Sequence, residues 1–280
     1  MTVVIGFNWL TEVVMLADSR ISWEDHQHPP QDILQKLYRF GDSNNSVVLG
    51  FCGDLLAARK VIFFLVASKL RKYKRPFVVS QFGDELVRWI EQAARSELTP
   101  KQRTNIKFML CGIEPSRHPP ILKDGKIIGH TSFVEAHIYI YTISKNGKVD
   151  CDKRPKWCAV IGTGNELECA ITNKLEEARK FGSNEPQLHW ARAIVGGEAI
   201  AQVIAESERV SVTVGGPFQV VRITTKGLET HYIWPWDIEN RNVEVQDDNS
   251  KIVLSNPSIK EKYILYPIWE LPLHDLRGAG

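Results

Sequence analysis

The sequence predicts an α+β protein, a four-layer αββα sandwich of two antiparallel sheets that pack face to face, with a pair of helices on each outer side. Two observations lead to this prediction. Strand-like blocks alternate along the chain with pairs of helix-like segments, in the order strands, helices, strands, helices, strands. Short turns link most strands within a block, which favours hairpins over the alternating βαβ units of a parallel sheet.

The first block contains two predicted hairpins. Thr2–Phe7 and Glu12–Ala17 are rich in β-branched residues and are separated by a short polar link. Lys36–Phe40 and Ser46–Phe51 form the second pair, and the residues between them are turn formers. Residues 26–30, which lie between the two hairpins, contain two histidines and two prolines and are predicted to form a loop.

Two helices are predicted to follow this block. Leu55–Leu70 is strongly apolar, as expected of a buried helix. Apolar residues then recur at helical spacing from Phe82 to Ala93, and Pro100 is predicted to close this second helix.

Strand signals return in the middle of the chain, at Ile106–Cys111, Ala136–Ile143 and Trp157–Ile161. Residues 113–135 lie between the first two of these strands and carry several prolines and glycines. We interpret them as a long loop or a small insertion.

A second pair of helices precedes the last block of strands. One helix is marked by Leu167, Ile171, Leu175 and Ala178, and the next by Trp190, Ile194, Ala201 and Ile204. Gly215 and Gly216 then lead into a predicted hairpin of Phe218–Thr224 and Glu229–Trp234. We assign residues 1–234 to one domain and residues 235–280 to a C-terminal extension with a few extra strands.

Composition excludes some classes of partner. The chain has 280 residues, and its 35 basic and 33 acidic residues give a net charge of +2, so charge gives no reason to expect nucleic acid or an anionic membrane as a partner. The N-terminus lacks the features of a signal peptide. The longest apolar run, Val61–Ala67, is too short to span a bilayer. A cytoplasmic protein fits these features best.

The cysteines predict neither a disulfide framework nor a zinc site, because the five are scattered and none forms a C-x-x-C pair. Cys52, Cys111 and Cys169 lie in apolar stretches and are expected to be small core residues. The sequence also lacks a P-loop and an H-E-x-x-H motif, so we predict no cofactor and no metal.

Thr2 follows the initiator Met1 directly. Removal of Met1 would leave a threonine whose free α-amine lies beside the hydroxyl that it would have to activate. A threonine paired with its own N-terminal amine is an established nucleophile and base. An α-amine has a reference pKa of about 7.7–8.0, which suits a base at neutral pH better than the value of about 10.4 for lysine.

Several motifs downstream of Thr2 occur in a fixed order. They are Ala17-Asp18-Ser19-Arg20, Lys36 before a strand, Gly50-Phe51-Cys52-Gly53, Gly162-Thr163-Gly164 and Gly215-Gly216. In order and spacing they resemble the proteasome β-subunit family, which includes bacterial HslV-type and Anbu-type proteins. The resemblance covers about residues 2–230 and implies the fold of N-terminal-nucleophile hydrolases, which agrees with the sandwich predicted above.

The resemblance implies a role for each candidate catalytic residue. Thr2 would attack a peptide carbonyl and form an acyl-enzyme. Asp18 would keep Lys36 charged and oriented, and Lys36 would favour the ionised oxygen of Thr2. The backbone N–H of Gly53 would stabilise the oxyanion, and Thr163 would form a hydrogen bond near the amine.

The resemblance also implies partners and leaves alternatives. It implies a self-compartmentalising homo-oligomeric ring that hydrolyses peptides or unfolded proteins, in some members fed by an ATPase unfoldase. Ser211 and Val214 stand where the family usually has an aspartate and a serine. A non-catalytic ring or scaffold subunit is therefore an alternative, and an amidohydrolase acting on a small amide is another.

Overall fold

The structure is a computed structural model that describes residues 3–9, 12–21, 31–32, 34–41, 46–115, 121–123, 126–129, 134–153, 157–162, 168–181, 214–233, 244–247, 252–256 and 261–265. Several predictions fall outside these residues. They concern Thr2, Thr163, Ser211, the loop at 26–30 and the second helix of the second pair.

The described elements are seventeen strands and four α-helices. The strands are β1 Val3–Trp9, β2 Glu12–Ala17, β3 Arg20–Ile21, β4 Gln31–Asp32, β5 Leu37–Gly41, β6 Ser46–Gly53, β7 Ile106–Pro115, β8 Ile121–Lys123, β9 Lys126–Gly129, β10 Val134–Ile143, β11 Val149–Asp152, β12 Cys158–Gly162, β13 Phe218–Thr224, β14 Gly227–Ile233, β15 Glu244–Asp247, β16 Ile252–Asn256 and β17 Glu261–Leu265. The helices are α1 Leu55–Phe64, α2 Val79–Glu97, α3 Pro100–Thr104 and α4 Glu168–Phe181.

Two five-stranded antiparallel sheets form the centre of the fold. The first sheet has the strand order β12-β1-β2-β13-β14, and the second has the order β11-β10-β7-β6-β5. The two hairpins predicted in the first block lie in different sheets, because β1 pairs with β2 in the first and β5 with β6 in the second. The α+β class and the two antiparallel sheets are therefore confirmed.

The two sheets pack closely through glycines and methionines. Within the sheets, Gly6 pairs with Met15 and Gly50 pairs with Met109. Across the gap between the sheets, each glycine faces the methionine of the other sheet. A Cβ on Gly6 would lie 2.9 Å from the Met109 sulfur. A Cβ on Gly50 would lie 2.6 Å from the Met15 methyl group. Each flexible methionine thus fills the space above a glycine of the other sheet.

Helices cover the outer faces of both sheets. Buried side chains of α1 and α2, including Ile62 and Phe82, pack in one cluster with Phe108 and Leu110 of β7. On the other side, α4 packs on the first sheet. Only one helix of the second predicted pair lies within the described residues, so the complete four-layer arrangement stays a prediction.

The α-helix predicted over Leu55–Leu70 changes type before its end. The α-helical part ends at Phe64, residues 65–69 continue as a π-helix, and residues 70–72 form a 3₁₀ turn. The side chain of Asp54 begins the helix by accepting a hydrogen bond of 2.9 Å from the N–H of Ala57. This cap fixes α1 directly behind Gly53.

Pro100 begins a helix instead of closing one. The preceding helix α2 ends at Glu97, and Pro100 is the first residue of the short helix α3. Proline is favoured there because the first helical N–H has no partner within the helix. Thr99 and Gln102 complete a capping box at the same end.

Two further segments form small sheets of their own. Residues 113–135 contain the end of β7 and the hairpin of β8 and β9, so the alternative of a small insertion holds. The C-terminal extension forms a three-stranded antiparallel sheet in the order β15-β16-β17. Leu254 and Leu265 of this sheet pack against Tyr232 of β14.

Among the described helices, none is both long and apolar enough to cross a membrane.

The burial prediction for the cysteines is correct for Cys52 and Cys111 and wrong for Cys169, which is exposed. The helical repeat explains the error. Ile171 and Leu175 mark the core face of α4. Cys169 lies two residues before Ile171 and points roughly 200° away around the helix.

This distribution predicts that a single thiol reacts rapidly in the folded protein. Burial raises the pKa of Cys52 and Cys158 to about 12 and that of Cys151 to about 11. These thiols are therefore protonated at about pH 8, where the thiolate is the reactive form. With an aromatic disulfide reagent, we expect fast reaction at Cys169 alone and reaction of all five cysteines in denaturant. Loss of the fast phase in Cys169→Ser is the control, and a second fast thiol would contradict the packing.

Candidate active site

Asp18 follows β2 directly and is buried, with 1% of the residue exposed. Its Oδ1 accepts hydrogen bonds from the Val3 N–H at 3.0 Å and from Lys36 Nζ at 2.9 Å, and its Oδ2 accepts one from the Arg20 N–H at 3.2 Å. Burial raises the pKa of Asp18, while the Lys36 ammonium and the Val3 N–H offset part of that effect. The carboxylate thus joins the start of β1 to the lysine.

Lys36 lies immediately before β5 and is as deeply buried as Asp18. Besides the ion pair with Asp18, its Nζ donates a hydrogen bond of 2.6 Å to the carbonyl oxygen of Arg20. A lysine that opens a strand is usually an exposed edge charge. A buried ammonium needs a charged partner and additional hydrogen bonds, and this site supplies both.

Hydrogen bonds on either side hold the segment that carries Lys36. The N–H of Leu34 donates to the carbonyl of Ser19 at 3.1 Å. The hydroxyl of Tyr38 donates to the carbonyl of Gln35 at 2.6 Å. The amide of Gln35 reaches the carbonyl of Leu265 in the C-terminal sheet at 3.5 Å. The segment is thereby tied both to the Asp18 turn and to the C-terminal extension.

The start of β1 lies beside the end of β12. Val3 pairs with Gly162, the last residue of that strand, which has a φ of +95°. A positive φ of this kind favours glycine. Thr163 follows Gly162 directly in the chain. Its predicted role, a hydrogen bond near the Thr2 amine, therefore involves the residue next to the partner of Val3.

Gly53 ends β6 at an exposed position with a φ of +101°. A Cβ at this residue would overlap the carbonyl oxygen of Asn105. The backbone itself therefore requires glycine here. Burial raises the pKa of the neighbouring Cys52 thiol to about 12, against the opposing effect of the positive charges of Lys107 and Lys36.

The structure thus brings Asp18 and Lys36 together beside the start of β1. Gly53 lies in β6, the strand that pairs with β5, three residues after Gly50, which is the partner of Leu37. Thr2 and Thr163 lie outside the described residues, and each adjoins a described residue of this site, Val3 or Gly162.

Comparison with known proteins gives matches among solved structures alone. No family profile and no curated protein sequence matches the chain. An Anbu (Gly-1) mutant from Hyphomicrobium sp. strain MC1 has 16% sequence identity and a TM-score of 0.52, over 85% of this chain and 90% of that one. The chain has an Anbu-like fold. The predicted resemblance to proteasome-like proteins is confirmed at the level of the fold.

Two further Anbu structures show the same likeness of fold. The helical assembly of the Anbu complex from Pseudomonas aeruginosa has 14% identity and a TM-score of 0.53, over 85% of this chain and 88% of that one. Anbu (ancestral beta-subunit) from Yersinia bercovieri has 13% identity and a TM-score of 0.50, over 81% and 86%.

The double glycine, Gly215 and Gly216, packs against the turn that carries Asp18. The carbonyl of Gly215 accepts a hydrogen bond of 3.2 Å from the N–H of Ser19. A Cβ on Gly215 would collide with the guanidinium of Arg20, so glycine leaves the space that this side chain occupies. Val214 directs its side chain into the core beneath the first sheet, in the cluster that contains Val3 and Phe218.

One residue beside the site was missed by the sequence analysis. Gln219 is buried in β13, and its side-chain amide contacts the backbone of Leu37, the residue after Lys36. The alternation of β13 places Gln219 on the same face as Val221 and Ile223, which pack between the sheets. In the sequence, the one signal for this contact was a polar residue on the otherwise apolar face of a predicted strand.

Proposed function

We propose that the chain is a proteasome-like peptidase subunit that uses Thr2 as its nucleophile after removal of Met1 and works in a self-compartmentalising assembly. The observation that carries the proposal is the buried Asp18–Lys36 pair and its hydrogen bond to the N–H of Val3. Residue 2 is one peptide bond upstream, at an α-carbon distance of about 3.8 Å from residue 3. The ion pair therefore lies next to the proposed nucleophile.

Burial of this pair supports a functional role more than a stabilising one. A buried ion pair contributes little net stability, because desolvation of two charges offsets their attraction. Apolar residues would fill the same volume between the sheets at lower cost. The Lys36 ammonium, held in place next to the start of β1, would instead stabilise a developing negative charge on the Thr2 oxygen.

In the proposed reaction, the Thr2 hydroxyl oxygen attacks the substrate carbonyl carbon, and its proton passes to the α-amine. The resulting ammonium gives that proton to the leaving amine as the peptide bond breaks, which leaves an ester on Thr2. A water molecule then attacks the ester, with the α-amine again accepting the proton. The acid product leaves and the threonine hydroxyl is restored.

The other residues act on charge and orientation. Asp18 keeps Lys36 in place through the 2.9 Å contact, and the carbonyl of Arg20 fixes the same ammonium from a second direction. The N–H of Gly53 is the proposed donor to the oxyanion of each tetrahedral intermediate. An oxyanion-hole donor is typically worth about 10²–10³-fold in rate.

The test is covalent labelling of protein whose intact mass shows that it begins at Thr2. We expect a panel of peptidyl epoxyketones and boronates to label wild-type protein at Thr2. Thr2→Ala should not label, and Thr2→Ser, which keeps a hydroxyl beside the amine, should retain some labelling. Protein that begins at Thr2 and reacts with none of the probes would refute the peptidase proposal.

A non-catalytic scaffold subunit is the second candidate, and Val214 favours it. Its buried side chain supplies no hydroxyl at the position where the resembling family usually has a serine. A scaffold subunit would form an assembly without ever labelling. Labelling at Thr2 separates the two candidates. The assembly mass by light scattering, measured on the same sample, shows whether a protein that does not label still forms the assembly that a scaffold subunit requires.

A further inference from the structure

The side-chain amide of Gln219 binds both backbone polar groups of one residue in the opposite sheet. Its Oε1 accepts a hydrogen bond of 3.1 Å from the N–H of Leu37, and its Nε2 donates one of 3.2 Å to the Leu37 carbonyl. A carboxamide carries one acceptor oxygen and a donor nitrogen, so these two contacts fix its orientation. Gln219 thereby bonds to β5 as a neighbouring strand would.

The position of Leu37 gives this contact its importance. β5 is the last strand of the second sheet, and Leu37 pairs with Gly50 of β6 on one side. Gln219 satisfies the N–H and the carbonyl of Leu37 in the buried space between the sheets, where unpaired backbone groups are costly. Leu37 follows Lys36 directly, so the contact also restrains the lysine.

The strand that carries Gln219 lies beside the other half of the ion pair. Gln219 pairs with Ala17 of β2, and Ala17 directly precedes Asp18. Asp18 therefore directly follows a strand of the first sheet and Lys36 directly precedes a strand of the second. The distance between them depends on how the two sheets are held together at this end. Gln219 joins the residue beside Asp18 to the residue beside Lys36.

We propose that Gln219 is a positioning residue that ties β13 to the start of β5 and so holds Lys36 at hydrogen-bonding distance from Asp18. The inference deepens the proposed function, on which its effect on labelling rests. Its effect on the ion pair is independent of catalysis and can be measured separately.

The test compares two Gln219 variants with a matched control. Gln219→Met keeps a similar length and removes both hydrogen bonds. Gln219→Glu, in its ionised form, keeps an acceptor for the Leu37 N–H but has no donor for the carbonyl. Tyr141→Phe is the control, because it removes a buried hydroxyl that contacts the Gly83 carbonyl at 3.4 Å on the helix-covered face of the second sheet.

The first measurement is acylation of Lys36 by an amine-reactive ester, quantified by mass spectrometry against the exposed Lys101 of the same sample. In wild-type protein Lys36 is buried and should react slowly. In Gln219→Met we expect its rate relative to Lys101 to rise about tenfold or more, because local opening exposes the amine. Gln219→Glu should lie between the two. Tyr141→Phe should match the wild type.

The second measurement is the rate of probe labelling at Thr2. A displacement of about 1 Å in a catalytic group can cost about 10²-fold in rate. We expect the maximal labelling rate of Gln219→Met to fall by about 10- to 100-fold, with little change in the probe concentration that gives half of that rate. General destabilisation would act on Tyr141→Phe as well.

The outcomes separate the two proposals. If Lys36 acylation in Gln219→Met equals that of Tyr141→Phe, the positioning role is refuted, whatever the labelling shows. If wild-type protein never labels, the peptidase proposal fails and the acylation result still decides the role of Gln219. If Gln219→Met does not fold, acylation of Gln219→Glu at the wild-type rate refutes the inference, and faster acylation supports it.

Discussion

Lys36→Met is expected to lower the free energy of unfolding by about 3–5 kcal/mol, the range for removing one partner of a buried ion pair. Methionine is close in size to the lysine side chain, so the cavity term is small. The loss arises because Asp18 stays buried after its charged partner is gone. Among the described residues, the N–H groups of Val3 and Arg20 would still donate hydrogen bonds to it. Urea denaturation monitored by tryptophan fluorescence measures the change.

The size of this effect should depend on pH in a defined direction. Burial already raises the pKa of Asp18 above its usual value of 3.8, and Lys36 lowers it. Removing Lys36 therefore raises that pKa further. A carboxyl that binds a proton more tightly in the folded state loses stability as the pH rises from its unfolded value through its folded value. We expect Lys36→Met to be more strongly destabilised at neutral pH than at mildly acidic pH.

The double variant Asp18→Asn with Lys36→Met distinguishes charge from packing. It removes both charges and leaves a neutral side chain that can still accept from the Val3 N–H. Its stability should recover most of what Lys36→Met loses, because replacing both members of a buried pair is often neutral. Labelling at Thr2 should stay low in both variants. A double variant no more stable than Lys36→Met would contradict this account of the pair.

The sequence was sufficient to predict features that depend on local pattern. The hairpins of β1 with β2 and of β5 with β6 were predicted from β-branched runs and turn residues, and both formed. The pairing of Asp18 with Lys36 was implied by the family resemblance and not by local pattern, and the structure places the two charged groups 2.9 Å apart. The turn after β2 and the start of β5, which carry them, are fixed by neighbouring strands.

Features that depend on distant packing were not predicted. The contact of Gln219 with Leu37 joins residues 182 positions apart, and no periodicity encodes it. The error at Cys169 has a local cause, because the spacing of Ile171 and Leu175 already places Cys169 on the exposed side of its helix. Val214 was recognised as a departure from a motif, yet the direction of its side chain into the core became visible only in the structure. Motif matching aligns positions and leaves side-chain direction open.

Gly53→Ala is expected to cost about 2–5 kcal/mol of stability, from two separate terms. An L-residue at the positive φ of Gly53 carries a strain of about 1–2 kcal/mol. The new methyl group would also overlap the carbonyl oxygen of Asn105, and crowding of this kind typically costs about 1–3 kcal/mol. That oxygen accepts the N–H of Asp54 at 2.8 Å, so moving it away would weaken the start of α1. Urea denaturation again measures the effect.

Gly147→Ala provides the matched control for this variant. Gly147 has a φ of +81°, so an alanine there carries the same backbone strain. A Cβ at Gly147 would meet the side-chain Cγ of Arg95 at 2.9 Å instead of a backbone atom. A flexible side chain can move aside, so the cost should stay near about 1–2 kcal/mol. Equal losses in the two variants would mean that the Asn105 carbonyl yields without cost. A larger loss in Gly53→Ala, together with slower labelling at Thr2 in that variant alone, would show that the turn is rigid where an oxyanion donor has to be.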